Sequence, residues 1–148
     1  MTRPPERDDL DALLPVLLGF AQQQLQKVGE YFPFGCTMTV DGNVAMTAAD
    51  TGSERPESAE VIDLLAAGMR SQAIAGTIRA SGICYDVRVR GADGKDTDAI
   101  ALSLEHRDGD HVLVVMPYSK GRFTGLKFAD LVPLAPPERR VFTSVGTA

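Results

Sequence analysis

Residues 81–118 constrain the fold most, because apolar and polar side chains alternate along most of this stretch. Ile83, Tyr85, Val87 and Val89 hold every second position in its first part. A period of two is typical of a β-strand whose two faces meet different surroundings. Two turn signals divide the stretch: the segment GADGKDTD and the dipeptide DG at 108–109. The stretch therefore predicts three antiparallel strands, the last two joined at DG.

An amphipathic helix is predicted near the N-terminus, where apolar residues recur at three- and four-residue spacing. Asp8 and Asp9 can cap it. Its apolar stripe consists of Leu10, Leu14, Leu17, Ala21, Leu25 and Val28. Pro15 is awkward inside this helix, so either the first turn is a separate piece or the helix proper begins near Leu13. Residues 1–7 are expected to be disordered.

The middle of the chain predicts a hairpin and a second helix. Asp41-Gly42 is a strong hairpin signal, with strands at about 33–40 and 43–49. The second helix spans roughly residues 56–75 and is capped by Gly76. The order helix, two strands, helix, three strands predicts an α+β fold with a single five-stranded antiparallel sheet and two main helices. A short helix is expected near residues 128–131, and residues 132–148 form a tail that packs on the body or stays extended.

Composition limits the class of protein. The 148 residues predict a single domain that can bury its own core. A net charge of −5 with dispersed basic residues argues against a nucleic-acid partner. The longest strongly apolar run, at 13–21, is too short to span a membrane. The segment MTRPPERDDLD has no apolar core, and the two cysteines are not in C-x-x-C spacing, so we expect a reduced, cytoplasmic protein without a cofactor.

Both histidines flank Asp108-Gly109. A two-residue loop there would set His106 directly opposite His111, with Cβ atoms about 4.5–5.5 Å apart. Two imidazoles at that separation could chelate Zn²⁺ or a similar metal ion. A structural zinc site needs four ligands and only two are visible, so an exposed hairpin tip without a metal is the favoured interpretation and a metal site is the alternative.

A thiol–imidazole enzyme would need Cys36 as the nucleophile and one of the histidines as the base. Cys36 alternates in phase with Phe34 and Met38, which predicts a core position where a thiol is inert. Cys84 falls on the more polar face of its strand with Asp86, which predicts that it is the more accessible thiol.

The candidate ligand-binding residues are Asp86, Arg88, Glu105 and Tyr118. Aspartate is disfavoured in strands, so its presence needs a reason. Cross-strand ion pairs, which contribute little when exposed, explain these charges without a function. The functional alternative is a polar groove on one face of the sheet, lined by these four side chains.

Five short motifs resemble an uncharacterised family of short soluble bacterial proteins: FPFG (32–35), DG (41–42), DAI (98–100), LEHRDG (104–109) and PY (117–118). The resemblance covers about residues 30–118 and implies a bacterial cytoplasmic protein, without assigning any catalytic residue. The order of elements also resembles profilin-like folds of the roadblock type. That second resemblance implies the strand order 2-1-5-4-3 and no function.

Three functions remain open. The leading hypothesis is a non-enzymatic interaction or regulatory module, expected to be a homodimer. It rests on a wide apolar surface of the first helix, at Leu13, Leu17, Leu18 and Phe20, and on a sheet edge that must be covered. The first alternative is a small-ligand or metal-dependent enzyme that uses the polar sheet face and the hairpin histidines. The second is an immunity- or antitoxin-like protein, whose acidity would suit a basic partner.

Overall fold

The computed structural model describes residues 5–91, 93–121 and 125–143 of the chain. Its elements are α1 (Pro5–Lys27), β1 (Phe34–Thr39), β2 (Val44–Thr47), α2 (Ser58–Ile74), β3 (Ile78–Arg90), β4 (Asp96–His106), β5 (His111–Gly121), β6 (Gly125–Phe128) and β7 (Val132–Leu134). The α+β class with one antiparallel sheet is confirmed. Neither described helix combines the length and apolar character that crossing a membrane requires.

The sheet contains seven strands within the described residues, so the expected five is wrong. Its order is β2-β1-β3-β4-β5-β6, and β7 also pairs with β5. β1 therefore borders β3 and not the last strand, which contradicts the order 2-1-5-4-3 implied by the profilin-like resemblance. β6 and β7 have only four and three residues and include Gly125 and Pro133, which strands disfavour. No helix forms near residues 128–131, because this segment ends β6 and leads into β7.

The two helices cover opposite faces of the sheet. The buried side of α1 consists of Leu10, Leu13, Leu17, Ala21 and Leu25. It packs on one face, against Cys36, Cys84 and Leu102 among others. α2 packs on the other face, where Leu65 and Met69 join Ile83 in a second core cluster. Because β2 and β3 both run antiparallel to β1, they are parallel to each other, and α2 is the crossover that joins them.

α1 is one continuous helix that begins at Pro5, three residues before Asp8, the first of the two predicted capping residues. Residues 1–4, also expected to be disordered, lie outside the described part. Pro15 does not interrupt α1, so both sequence-based alternatives are wrong. A proline at this position removes the donor for the carbonyl of Asp11, but both residues lie on the exposed side, where water can bond that carbonyl.

Two glycines allow the helices to approach the sheet closely. A Cβ atom at Gly82 would lie 2.6 Å from a methyl carbon of Leu17 and 2.8 Å from one of Leu104. A Cβ atom at Gly35 would collide with the side chain of Met69 on the opposite face. Glycine at these positions therefore sets how deeply α1 and α2 pack.

The described part of the tail packs against α2 and β4. Val141 is 1 % exposed and belongs to the core cluster under α2. The guanidinium of Arg70 on α2 donates to the carbonyl of Arg140 at 2.6 Å. Residues 144–148 lie outside the described part of the chain.

Candidate functional site

The chain turns between β4 and β5 through a loop of three residues, 107–109, closed by the pair His106 and Asp110, and not through the predicted loop of two. The N–H of His106 donates to the carbonyl of Asp110 at 2.8 Å, and the N–H of Gly109 donates to the carbonyl of His106 at 3.2 Å. Gly109 has a φ of +125°, which suits the last position of such a loop. His111 therefore pairs with Glu105, and the predicted pairing with His106 is wrong. A slip of one residue moves the two histidines to opposite faces of the sheet.

His106 is buried beneath the first turns of α1. Its Nε2–H donates to Asp9 Oδ2 at 2.8 Å, and its Nδ1 accepts the N–H of Asp108 at 3.1 Å. Arg79 contacts the same Asp9 carboxylate at 3.1 Å. Burial raises the pKa of Asp9, but the hydrogen bonds from His106 and Arg79 outweigh it and hold this pKa below its usual value. Both ring nitrogens of His106 are therefore used within the fold.

Glu105 binds the C-terminal tail. Glu105 is only 2 % exposed. Its carboxylate accepts hydrogen bonds from the backbone N–H groups of Arg140, Val141 and Phe142 at 3.0–3.3 Å. Three backbone donors satisfy a buried carboxylate without a metal ion. His111 lies opposite Glu105, and burial lowers its pKa. The described residues contain no group of three side chains that could hold a metal ion.

The predicted polar groove forms only in part. The hydroxyl of Tyr118 donates to Asp86 Oδ1 at 2.6 Å, and Arg88 pairs with Asp98 at 3.2 Å on the same face. Burial raises the pKa of Asp86, and the hydrogen bond from Tyr118 offsets part of this increase. Glu105 lies on the opposite face of the sheet. It is five residues along β4 from Ile100, which pairs with Asp86, and five residues of strand span about 17 Å at 3.4 Å per residue. The structure thus joins three of the four predicted residues and separates Glu105 from them.

Both cysteines are buried on the α1 side of the sheet, so the prediction that Cys84 is accessible is wrong. Cys36 and Cys84 are each 0 % exposed. Burial raises the pKa of Cys36 to about 12, and it also raises the pKa of Cys84. Tyr31 packs on the same cluster. Two thiols in these positions are poor nucleophiles near neutral pH.

Sequence reasoning expected a sheet edge that must be covered, but it did not identify the free edge of β2 as a candidate site. Val44 and Met46 are 40 % and 45 % exposed. Six of the eleven exposed large apolar side chains in the described chain lie on β2 or beside it: Phe20, Phe32, Val40, Val44, Met46 and Leu64. Exposed apolar patches are typical of interaction surfaces, so this edge is a candidate contact surface. The available signal was the sequence VAMT, an apolar strand without a charge or proline.

The hydrogen-bond alternation identifies which backbone groups of β2 point outward. The N–H of Thr39 donates to the carbonyl of Asn43 at 2.8 Å, which makes this a hydrogen-bonded pair. Counting along the antiparallel register from that pair, Ala45 and Thr47 bond to β1, whereas Val44 and Met46 direct their N–H and C=O groups away from the sheet. An added strand can therefore bond to β2 without disturbing β1.

Two grooves adjoin this edge. Near the C-terminal end of β2, a pocket of about 300 Å³ lies among Phe20, Phe32 and Phe34. The rings of Phe20 and Phe34 meet edge to face at 4.8 Å. On the α2 side, a groove of about 260 Å³ is lined by Thr47 at the end of β2, by the segment 48–50 that follows it, and by Leu64 and other residues of α2. We use "the β2 edge" for residues 44–47 together with these two grooves.

No family model, curated protein or solved structure matches this chain. The bacterial family suggested by the short motifs therefore stays a prediction. The function has to be argued from the chemistry of the site, since a fold alone does not specify one.

Proposed function

We propose that this protein is a non-enzymatic interaction module that binds an extended segment of a partner protein along the β2 edge. The observation that carries the proposal is that Val44 and Met46 present outward backbone groups and exposed apolar side chains together. Binding by strand addition obtains affinity from main-chain hydrogen bonds and specificity from pockets for side chains. The β2 edge offers both.

The opposite edge of the sheet supports the choice of β2. β6 has four residues, as β2 has, but β6 and β7 carry Lys127 and Pro133. Charged residues and prolines on edge strands discourage pairing with another chain. β2 contains neither, which favours it as the edge that receives a partner.

Two of the side chains that could have supported catalysis, His106 and Glu105, have structural partners instead. His106 bonds to Asp9, and Glu105 bonds to three backbone N–H groups of the tail. These contacts favour an interaction module over the small-ligand or metal-dependent enzyme.

Leu13 and Leu17 are buried in the chain's own core, so only Leu18 and Phe20 remain at the surface of the helix face that suggested a homodimer. The homodimer stays a prediction. An immunity- or antitoxin-like protein would be one form of the module and stays a prediction.

Selection of phage-displayed peptides on the folded chain tests the proposal. We expect selected peptides to bind Met46→Pro at least about tenfold more weakly, because proline removes an outward N–H. Met46→Val is the matched control, since it keeps both the N–H and an apolar side chain, and it should bind within about threefold of the wild type. Failure to enrich any peptide, or equal binding to the wild type and Met46→Pro, would overturn the proposal.

A further inference from the structure

Acidic side chains stand at both ends of the β2 edge. Asp41 precedes β2 by three residues and Asp50 follows it by three, and both are exposed. Glu54 adds a third carboxylate at the wall of the aromatic pocket. Within the part of the chain that the structure describes, no ion pair joins these three carboxylates to a basic side chain.

The basic residues closest to this region have other partners. Arg79 donates to the carbonyl of Val40 in the β1–β2 turn, but its charge is paired with Asp9 at 3.1 Å. Arg55 is paired with Glu30 at 3.1 Å. The charge left facing a partner at the β2 edge is therefore negative.

Self-pairing of β2 would bring these charges together. A two-fold antiparallel pair has to use the outward groups of Val44 and Met46, so Val44 lies opposite Met46 of the other copy. Continued in both directions, this register sets Asp41 opposite Ala49 and therefore next to Asp50 of the other copy, at each end of the pair. Like charges across a strand pair destabilise it, and carboxylates one residue apart repel each other in the same way. The two aspartates therefore oppose association of this chain with itself and would attract basic residues at the ends of a different strand.

We infer that the segment bound at the β2 edge is an extended, mainly apolar stretch of a different protein with a basic residue at each end. This inference rests on the proposed function and adds the chemistry of the partner. The apolar middle of the segment meets Val44, Met46 and the grooves, and its basic ends meet Asp41 and Asp50. A second copy of this chain does not satisfy these requirements.

Two synthetic peptides of ten residues test the inference. Both have alternating valine and threonine in the middle, and they end in lysine or in glutamate. We expect the lysine-ended peptide to bind at least about tenfold more tightly at low salt, with a smaller difference at 0.5 M salt. A variant with Asp41→Lys and Asp50→Lys should reverse the preference. Met46→Pro should weaken the binding of the preferred peptide at least about tenfold, with Met46→Val as the control, and thermal unfolding establishes that each variant is folded.

The outcomes separate this inference from the proposed function. Tighter binding of the lysine-ended peptide, reversed by the double charge change, supports the inference. Equal binding of both peptides, lost in Met46→Pro, overturns the charge requirement and leaves the β2 edge as the binding site. Absence of binding, or binding that Met46→Pro does not affect, overturns both. Sedimentation showing a wild-type dimer that Met46→Pro dissociates would assign the edge to a second copy and overturn the inference.

Discussion

Glu105 and His106 are neighbours on β4, yet they serve opposite faces of the sheet. Glu105 accepts the backbone N–H groups of the tail on the α2 side, and His106 bonds to Asp9 of α1 on the other side. Arg139 adds hydrogen bonds to the carbonyls of His106 and Gly109. At the residue scale, the β4–β5 turn is therefore the point at which α1 and the tail are both attached.

Replacement of Glu105 by glutamine should destabilise the fold. The amide keeps one acceptor oxygen and puts an NH2 group where backbone donors already converge, so we expect a loss of about 2–3 kcal/mol in the free energy of unfolding. Urea denaturation measures it. Asp98→Asn is the control, because the Arg88–Asp98 pair is exposed and should contribute less than about 1 kcal/mol. Equal losses in the two variants would contradict the attachment role of Glu105.

Asp9 should make stability depend on pH in the acid range. Its folded pKa is lowered, so its stabilising contribution is present above the unfolded pKa of about 3.9 and disappears as the pH falls through the folded pKa. Asp9→Asn should therefore be less stable at pH 7 and lose less stability below about pH 4 than the wild type. Urea denaturation across this range measures both, with the exposed Asp63→Asn as control. An unchanged acid slope in Asp9→Asn would count against the His106–Asp9–Arg79 contacts.

The two cysteines should stay unreactive in the folded chain. Burial raises the pKa of both thiols, so at pH 8 neither presents much thiolate to a disulfide reagent. We expect the reagent 5,5′-dithiobis(2-nitrobenzoate) to modify them only in urea, and both together. Rapid modification of one thiol in the native chain would contradict the burial of the two cysteines.

At the scale of elements, alternation predicted strands β3, β4 and β5 because each is long and its side chains change face at every residue. The alternation of side chains along a strand does not show which face of the sheet a helix covers. The charged neighbours of Cys84 therefore predict a polar face, whereas α1 covers that face in the structure. Alternation also could not fix the register at Gly109, since Asp-Gly suits loops of two or three residues. The order 2-1-5-4-3 implied by the resemblance also places β2 at an edge. The pairing of β1 with β3 was not predictable, because it depends on the crossover through α2, which local pattern does not contain.

The seating of α1 on the sheet depends on Gly82. A methyl group there would meet Leu17 and Leu104, so Gly82→Ala should cost about 1–3 kcal/mol through overpacking. Gly68→Ala on α2 is the control: its Cβ would meet no neighbour within 4 Å, and alanine favours a helix, so stability should stay equal or rise by up to about 1 kcal/mol. Thermal unfolding compares them. A neutral Gly82→Ala would mean that α1 packs less closely than described.

At the scale of the whole molecule, α1 and α2 lie on opposite faces of a sheet whose two edges differ. One edge carries Lys127 and Pro133, and the other is β2 with its exposed Val44 and Met46. The net charge of −5 agrees in sign with the carboxylates at the ends of β2, so a basic segment would be attracted from a distance. These properties together support the proposed function of the protein as a receptor for one extended strand.

Amide hydrogen exchange, followed by NMR in the free chain and in the chain saturated with the lysine-ended peptide, tests the β2 edge most directly. In the free chain the amides of Val44 and Met46 should exchange faster than those of Ala45 and Thr47, which bond to β1. Saturation should slow exchange at Val44 and Met46 by at least about tenfold, because the added strand accepts their hydrogen bonds. Unchanged exchange at these two amides, or new protection confined to β6 and β7, would contradict the account.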